Sequence, residues 1–196
     1  RIEQLTILGT GLLGVGGGLG LWAWGYRGHL VWCGRRAETV ARALATGGVD
    51  RGTTNLSEAV GEGVGEGQGE QLVVLAVPLG TFDAVFEGLR GLEREGLYST
   101  DVGSANGRVL ASARRWLGHP ERFVGAHPMA GSEHQGPEAA RADLFQGKPC
   151  ILTPGEDALP EAVERVRALW SWLGMRLLTM SAAEHDHQTA VTSHLP

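Results

Sequence analysis

The residue with the clearest chemical potential in this 196-residue chain is His127, in Gly125-Ala126-His127-Pro128-Met129-Ala130-Gly131-Ser132-Glu133. An imidazole changes charge near physiological pH and can take up a proton from a substrate hydroxyl. The apolar run Phe123-Val124 before it reads as a strand end, and Pro128 and the glycines on either side predict a loop whose backbone closely approaches a ligand. Open α/β folds do their chemistry at the carboxyl ends of their strands. A solvated loop histidine is the alternative reading of the local residues.

A second motif stands at the other end of the chain. Gln4-Leu5-Thr6-Ile7-Leu8 runs into Gly9-Thr10-Gly11-Leu12-Leu13-Gly14, a G-x-G-x-x-G directly after an apolar strand and opening a helix-length segment. In a dinucleotide-binding turn Gly9 permits the tight bend, Gly11 lets the backbone approach a pyrophosphate and Gly14 lets the helix pack on the strand. Gly16, Gly17, Gly18 and Gly20 make the region glycine-rich, so a structural glycine turn is the competing reading. The position decides for a cofactor, because a second strand, His29-Leu30-Val31-Trp32-Cys33, follows at βαβ spacing. About 20 residues past the fingerprint an acidic residue holds the ribose 2′-hydroxyl of NAD. This chain has Gly34 there, followed by Arg35 and Arg36, two guanidiniums suited to a 2′-phosphate. NADP is therefore expected over NAD, with NAD still open; two solvated arginines are the alternative.

The elements that must position these residues alternate between helix and strand signals, which predicts an α/β fold with a Rossmann-type, doubly wound, mostly parallel sheet. A helix is expected from Leu12 to about Tyr26 and another from Glu38 to about Thr46. Leu72-Val73-Val74-Leu75-Ala76-Val77 reads as a buried strand stopped by Pro78, and the Val77-Pro78-Leu79 turn reads equally as a cofactor contact or a plain turn. Tyr98 to Val102 is a further strand, ending in Gly103-Ser104. Pro149–Thr153 and Met175–Thr179 are expected as late, antiparallel strands around a helix from Leu159 to Leu173. The run from Gly61 to Gly69 is a low-complexity surface segment. Trp22, Trp24, Trp170 and Trp172 read as core or interface residues rather than cofactor-stacking ones.

Composition removes several function classes. A formal net charge of −5 leaves no basic footprint for nucleic acid, and Lys148 is the only lysine. Cys33 and Cys150 lie far apart without a C-x-x-C, so neither a disulfide framework nor a zinc site is expected. His185, Asp186 and His187 have metal-ligand chemistry, but the two imidazoles at i and i+2 face apart on a helix, and no metal is expected. No signal peptide or membrane-length apolar run is seen, so a cytoplasmic protein without a membrane partner is expected. The chain lacks an initiator Met and stops at Ser193-His194-Leu195-Pro196 within a helical pattern, which reads as a fragment.

In order along the chain, several pieces together resemble the prephenate and arogenate dehydrogenase family of tyrosine biosynthesis. They are the Gly9–Gly14 turn, Asp101-Val102-Gly103-Ser104, the Gly125–Glu133 block, Ala139-Ala140-Arg141-Ala142-Asp143-Leu144-Phe145, Leu152-Thr153-Pro154, and His185-Asp186 with Ser193-His194-Leu195-Pro196. The resemblance implies NAD(P)-dependent oxidative decarboxylation of prephenate or arogenate, with hydride leaving C4 of the ring as carbon dioxide departs. It matches His127 to the catalytic base at the 4-hydroxyl, Ser104 to a hydrogen-bonding serine, and Glu133 and His185 to residues near the pocket entrance; for these last two a solvated surface role stays open. It also implies a dinucleotide-binding domain over residues 1–180. Residues 181–196 would then begin an all-helical dimerisation domain that makes the protein a homodimer and carries a substrate-binding arginine.

The chain departs from the family where a lysine usually follows the serine, having Ala105-Asn106-Gly107-Arg108; Arg108 is close enough to substitute. Two rivals are a non-catalytic NADP-binding or sensing module, which would not need His127, and a β-hydroxyacid-type Rossmann dehydrogenase, which would use a catalytic lysine. Ser104, His127 and Glu133 in family order argue against the first. The single lysine, at the start of an expected strand, argues against the second.

Overall fold

The computed structural model describes residues 1–9, 20–23, 25–61, 69–130 and 143–193. Eight strands form one sheet in the order β3-β2-β1-β4-β5-β6-β7-β8. They are β1 (Ile2–Gly9), β2 (His29–Cys33), β3 (Arg51–Thr53), β4 (Glu70–Ala76), β5 (Leu97–Asp101), β6 (Phe123–Pro128), β7 (Pro149–Pro154) and β8 (Arg176–Thr179). The first six are mutually parallel. β7 runs antiparallel to β6, and β8 runs parallel to β7, so the two late strands oppose the rest of the sheet but not each other. Strand order reverses between β1 and β4, the switch point at which open α/β sheets form their ligand crevice.

The helices with both ends among the described residues are α1 (Ala37–Ala45), α2 (Leu56–Gly61), α3 (Phe82–Arg90), α4 (Asn106–Trp116), α5 (Pro160–Trp172) and α6 (Ala182–Ser193). Alternation along the central strands divides the core in two. Leu5, Ile7, Leu72 and Val74 face a cluster completed by Ala43 of α1, Leu21, Tyr26 and the Ala162, Val166, Leu169 and Trp170 stripe of α5. Leu8, Val73 and Leu75 face the opposite cluster, with Ala59 and Val60 of α2, Phe82, Phe86 and Leu89 of α3, and Val109 and Ala113 of α4. Strands buried on both faces read as continuous apolar runs, which is why β1 and β4 stand out in the sequence.

Of the expected helix from Leu12 to Tyr26, residues 20–23 are helical, Tyr26 is not, and residues 10–19 and Trp24 lie outside the described residues. Trp170 is core, Trp22 is half-buried, and the Tyr26 ring packs between Trp22 and the exposed Trp172. Within the low-complexity stretch, Gly61 closes α2 and residues 62–68 lie outside the described residues. Among the described residues no helix is long and apolar enough to cross a membrane.

Candidate active site

Because β1, β4, β5 and β6 are parallel, their carboxyl ends share one edge of the sheet. Gly9 ends β1 there, paired with Ala76 at the end of β4, and Leu75 pairs with Asp101 at the end of β5. Gly9 has φ +112°, and a Cβ on it would strike the Ala76 carbonyl and come within 3.1 Å of Val77 Cγ1. Only glycine fits both the backbone conformation and the close approach. The Gly9 carbonyl accepts a hydrogen bond from the indole N–H of Trp32, a fully buried residue of β2. Thr10, Gly11, Leu12, Leu13 and Gly14 lie outside the described residues. Val77 is half-buried against Gly9, and the exposed Pro78 opens the 3₁₀ turn Leu79–Thr81, so the turn after β4 borders the switch point.

At the end of β2, Gly34 is buried and donates its N–H to Thr53 O at 3.1 Å. A Cβ there would sit 3.1 Å from Val40 Cγ2, so packing leaves little room for a carboxylate-bearing side chain. Arg35 and Arg36 follow as exposed residues, with Arg36 in extended conformation (φ −120°, ψ 130°) at the start of α1 and its side chain not capping the helix. Neither forms an ion pair among the described residues.

His127 is the fifth residue of β6, paired with Ile151 of β7, and not on a loop as its flanking glycines and proline suggested. The antiparallel β7 extends the pairing of β6 through Pro128, which keeps this segment in strand conformation. The ring is half-buried. Its Nδ1 lies 2.8 Å from Nε2 of His185, with the two rings edge to face at 83° and 5.0 Å between centroids. His185 comes from α6 and is completely buried, so the solvated surface role left open for it does not hold. Its own Nδ1 lies 2.9 Å from Oδ1 of Asp186. Asp186 in turn accepts the backbone N–H of Asn106 at 3.1 Å and of Gly107 at 2.9 Å, at the start of α4. Burial first, then the neighbouring His185, hold the His127 imidazole below its ordinary pKa; Asp186 pulls the other way. His187 is exposed.

Ser104 is exposed on the turn from β5 into α4, beside β6 on the same edge. That turn is held by Asp101, a fully buried carboxyl whose Oδ2 accepts the Gly103 N–H at 2.9 Å and whose Oδ1 accepts the Ala126 N–H at 3.0 Å. Asp101 thus staples the Ser104 turn to the residue before His127. Burial pushes this carboxyl up to about 7, against the lowering effect of those N–H donors. Asn106, also buried, donates its side-chain amide to Thr153 Oγ1 at 2.7 Å.

The structure therefore brings His127 and His185 into contact, sets the Ser104 turn alongside, and places Gly9, Val77 and Pro78 together at the switch point. Arg35 and Arg36 stand at the far end of the same edge, beyond β1. Glu133 lies outside the described residues. Arg108 is exposed on α4. Trp32, Asp101 and Asp186 were not singled out for these contacts from the sequence. For Asp101 a weak signal existed, since a carboxylate ending a strand that leads into a Gly-Ser turn must find donors if it is buried. No group of three or more His, Cys, Asp or Glu side chains among the described residues is arranged for a metal ion.

A cyclohexadienyl dehydrogenase from Zymomonas mobilis is 35% identical over 156 residues, 80% of this chain and 50% of that protein. The crystal structure of prephenate dehydrogenase from Aquifex aeolicus in complex with hydroxyphenyl propionate and NAD+ is similar with TM-score 0.88 and 29% identity, over 99% of this chain and 65% of that one. Synechocystis arogenate dehydrogenase is similar with TM-score 0.84 and 26% identity, over 97% of this chain and 64% of that one. The chain spans 50% of the length of the Zymomonas relative, and so about half of a curated relative it matches. The family model of the prephenate dehydrogenase nucleotide-binding domain matches residues 18–179, most of the sheet and its helices, and the chain belongs to that family.

Proposed function

We propose that the protein oxidatively decarboxylates prephenate or arogenate, giving 4-hydroxyphenylpyruvate or tyrosine, and that it prefers NADP to NAD. The observation that carries this reading is the His127 imidazole on the carboxyl edge of the sheet, with Nδ1 engaged by His185 and no hydrogen bond to Nε2 among the described residues. The switch point suits a dinucleotide, because Gly9 ends β1 at φ +112° with no room for a Cβ against the Ala76 carbonyl, the bare backbone that a close ligand approach needs. Gly9, Thr10, Gly11, Leu12, Leu13 and Gly14 would hold the phosphates, with Val77 and Pro78 alongside. Bound there, the oxidised nicotinamide dinucleotide supplies the hydride acceptor.

The chain's own residues do the rest. His127, kept neutral by burial, accepts a hydrogen bond at Nε2 from the ring 4-hydroxyl and takes its proton as C4 is oxidised. The Ser104 hydroxyl hydrogen-bonds the same region and orients it. Glu133 and His185 are assigned to the neighbourhood of the pocket entrance, as the family resemblance implies, with His185 packed against the base. Loss of carbon dioxide makes the ring aromatic, which drives the reaction forward. The same proposal makes residues 1–180 the dinucleotide-binding domain and residues 181–196 the start of a helical dimerisation domain in a cytoplasmic homodimer.

The test of the base is His127→Asn in the full-length enzyme, expected to lower kcat by about 10²-fold or more. Affinity for the dinucleotide should hardly change, and near-normal turnover removes His127 from the mechanism. Cofactor preference rests on Arg35 and Arg36 and on a packed Gly34 that leaves no carboxylate for a ribose. kcat/KM should therefore favour NADP, and Arg35→Ala should weaken NADP by roughly tenfold with little effect on NAD, the amount expected for one charge-assisted contact. A clear NAD preference in the unmodified enzyme sinks this part of the reading.

A further inference from the structure

We infer that His185 and Asp186 are positioning residues that hold His127 in the one tautomer able to act as a base; this rests on the reading of His127 as the proton acceptor. The order of protons follows from the acceptors. Both oxygens of Asp186 already accept backbone N–H groups, from Asn106 at 3.1 Å and Gly107 at 2.9 Å, where α4 begins without a capping side chain of its own. The carboxylate therefore faces His185 as an acceptor, and the contact at 2.9 Å requires His185 Nδ1 to carry the hydrogen. A neutral imidazole protonated on Nδ1 has its lone pair on Nε2. His127 Nδ1 lies 2.8 Å from that lone pair and must donate to it, leaving the lone pair of His127 on Nε2. The reverse order would aim a nitrogen lone pair at a carboxylate oxygen. Thr189 does not compete, because its hydroxyl donates to the His185 carbonyl at 3.0 Å and stands 3.5 Å from the ring.

The arrangement also answers what happens when the base is loaded. A proton arriving at His127 Nε2 charges a ring whose Nδ1–H already points, through His185, at Asp186. No proton need leave His127 along the chain of rings for the carboxylate to stabilise that charge. This is the division of labour by which a buried carboxylate orients a catalytic imidazole without itself being protonated. Here a second imidazole, fully buried, extends the reach from a helix to the neighbouring strand.

The experiment uses the full-length protein and two readouts. Long-range ¹H–¹⁵N spectra of the imidazoles should show both His127 and His185 in the Nδ1–H form. In Asp186→Asn one oxygen becomes an NH₂: at the Oδ2 position it opposes the Gly107 N–H, and at the Oδ1 position it opposes the Asn106 N–H and inverts both rings, so in either case the α4 cap is broken and His185 loses its anionic acceptor. The spectra should then show an Nε2–H population at His127, from molecules whose NH₂ faces His185, with kcat down about 10²-fold or more and KM for the dinucleotide within about threefold. His185→Phe keeps the Asp186 cap on α4 and fills the ring's space, so it should fold and still lose kcat to a similar extent. An Nε2–H form of His127 in the unmodified protein overturns the inference. So do unaltered tautomers together with near-normal kcat in Asp186→Asn. If the spectra are as expected but His127→Asn turns over normally, the hydrogen-bond order is upheld and the assignment of the base is what fails.

Discussion

A proton is hard to place on an imidazole that is half-buried against a second imidazole, and the site uses this. With the His127 pKa held below its ordinary 6.5, chiefly by burial and then by His185, the imidazole is unprotonated at neutral pH, the form in which the proposed mechanism uses it as a base. The active form is the deprotonated one, so kcat/KM should rise with pH through an apparent pKa below 6.5 and be level by neutrality. Asp101 titrates in the opposite sense for stability. Its folded-state pKa, about 7, lies above the ordinary 3.8, so the folded protein holds a proton that the unfolded chain releases. Its contribution is full below about pH 4, declines as pH rises toward 7 and is gone above that. Asp101→Asn should flatten the fall of melting temperature between pH 4 and 7 and leave the acid limb of the rate profile in place. A rate limb that moves with Asp101→Asn would show that the buried carboxyl, not His127, sets it.

Between elements, the informative contact is that of α6 with α4. α6 opens with a reciprocal cap, Ser181 N–H to Glu184 Oε2 at 2.8 Å and Glu184 N–H to Ser181 Oγ at 3.1 Å, and one turn later Asp186 caps the neighbouring helix. Gly107 lies under that carboxylate: a Cβ on it would stand 2.6 Å from Asp186 Oδ2. Helix propensity alone favours Gly107→Ala by up to about 1 kcal/mol. The geometry says the reverse, and the variant should melt lower and lose turnover, as thermal melting and steady-state kinetics would show. β1, β2, β4 and α5 are legible because their apolar residues are runs or a clean helical stripe. α4 is not, since its buried positions are Asn106, Val109 and Ala113, two of them poor apolar markers. α2 has six residues ending at a glycine-rich stretch, too few to show a period. His127 could be read from its own neighbourhood. Its partner could not, because His185 is 58 positions away and meets it only when α6 is laid against the edge of the sheet.

Taken whole, the molecule separates its chemistry from part of its scaffolding. The carboxyl edge of the parallel strands holds Gly9, the Ser104 turn and the histidine pair. The opposite edge is tied by Glu70 at the start of β4, whose carboxylate takes the Arg165 guanidinium of α5 at 2.7 Å from Nε and is held at a pKa of about 2, chiefly by that hydrogen bond. Nearby, Gln4, Thr6 and Gln71 form a buried hydrogen-bonded row that also takes the Ala59 carbonyl of α2 and reaches Arg94. α6 stands apart from this division. In chain order it follows the last strand, yet in space its His185 ring is completely enclosed and meets His127. Any influence that displaces this helix must alter how readily His127 is charged, and thermodynamic reciprocity requires that charging His127 bias the helix by the same free energy. On the mechanism proposed above, α6 is therefore a two-way transmission, through which protonation of His127 is felt beyond the sheet and events beyond the sheet are felt by the proton.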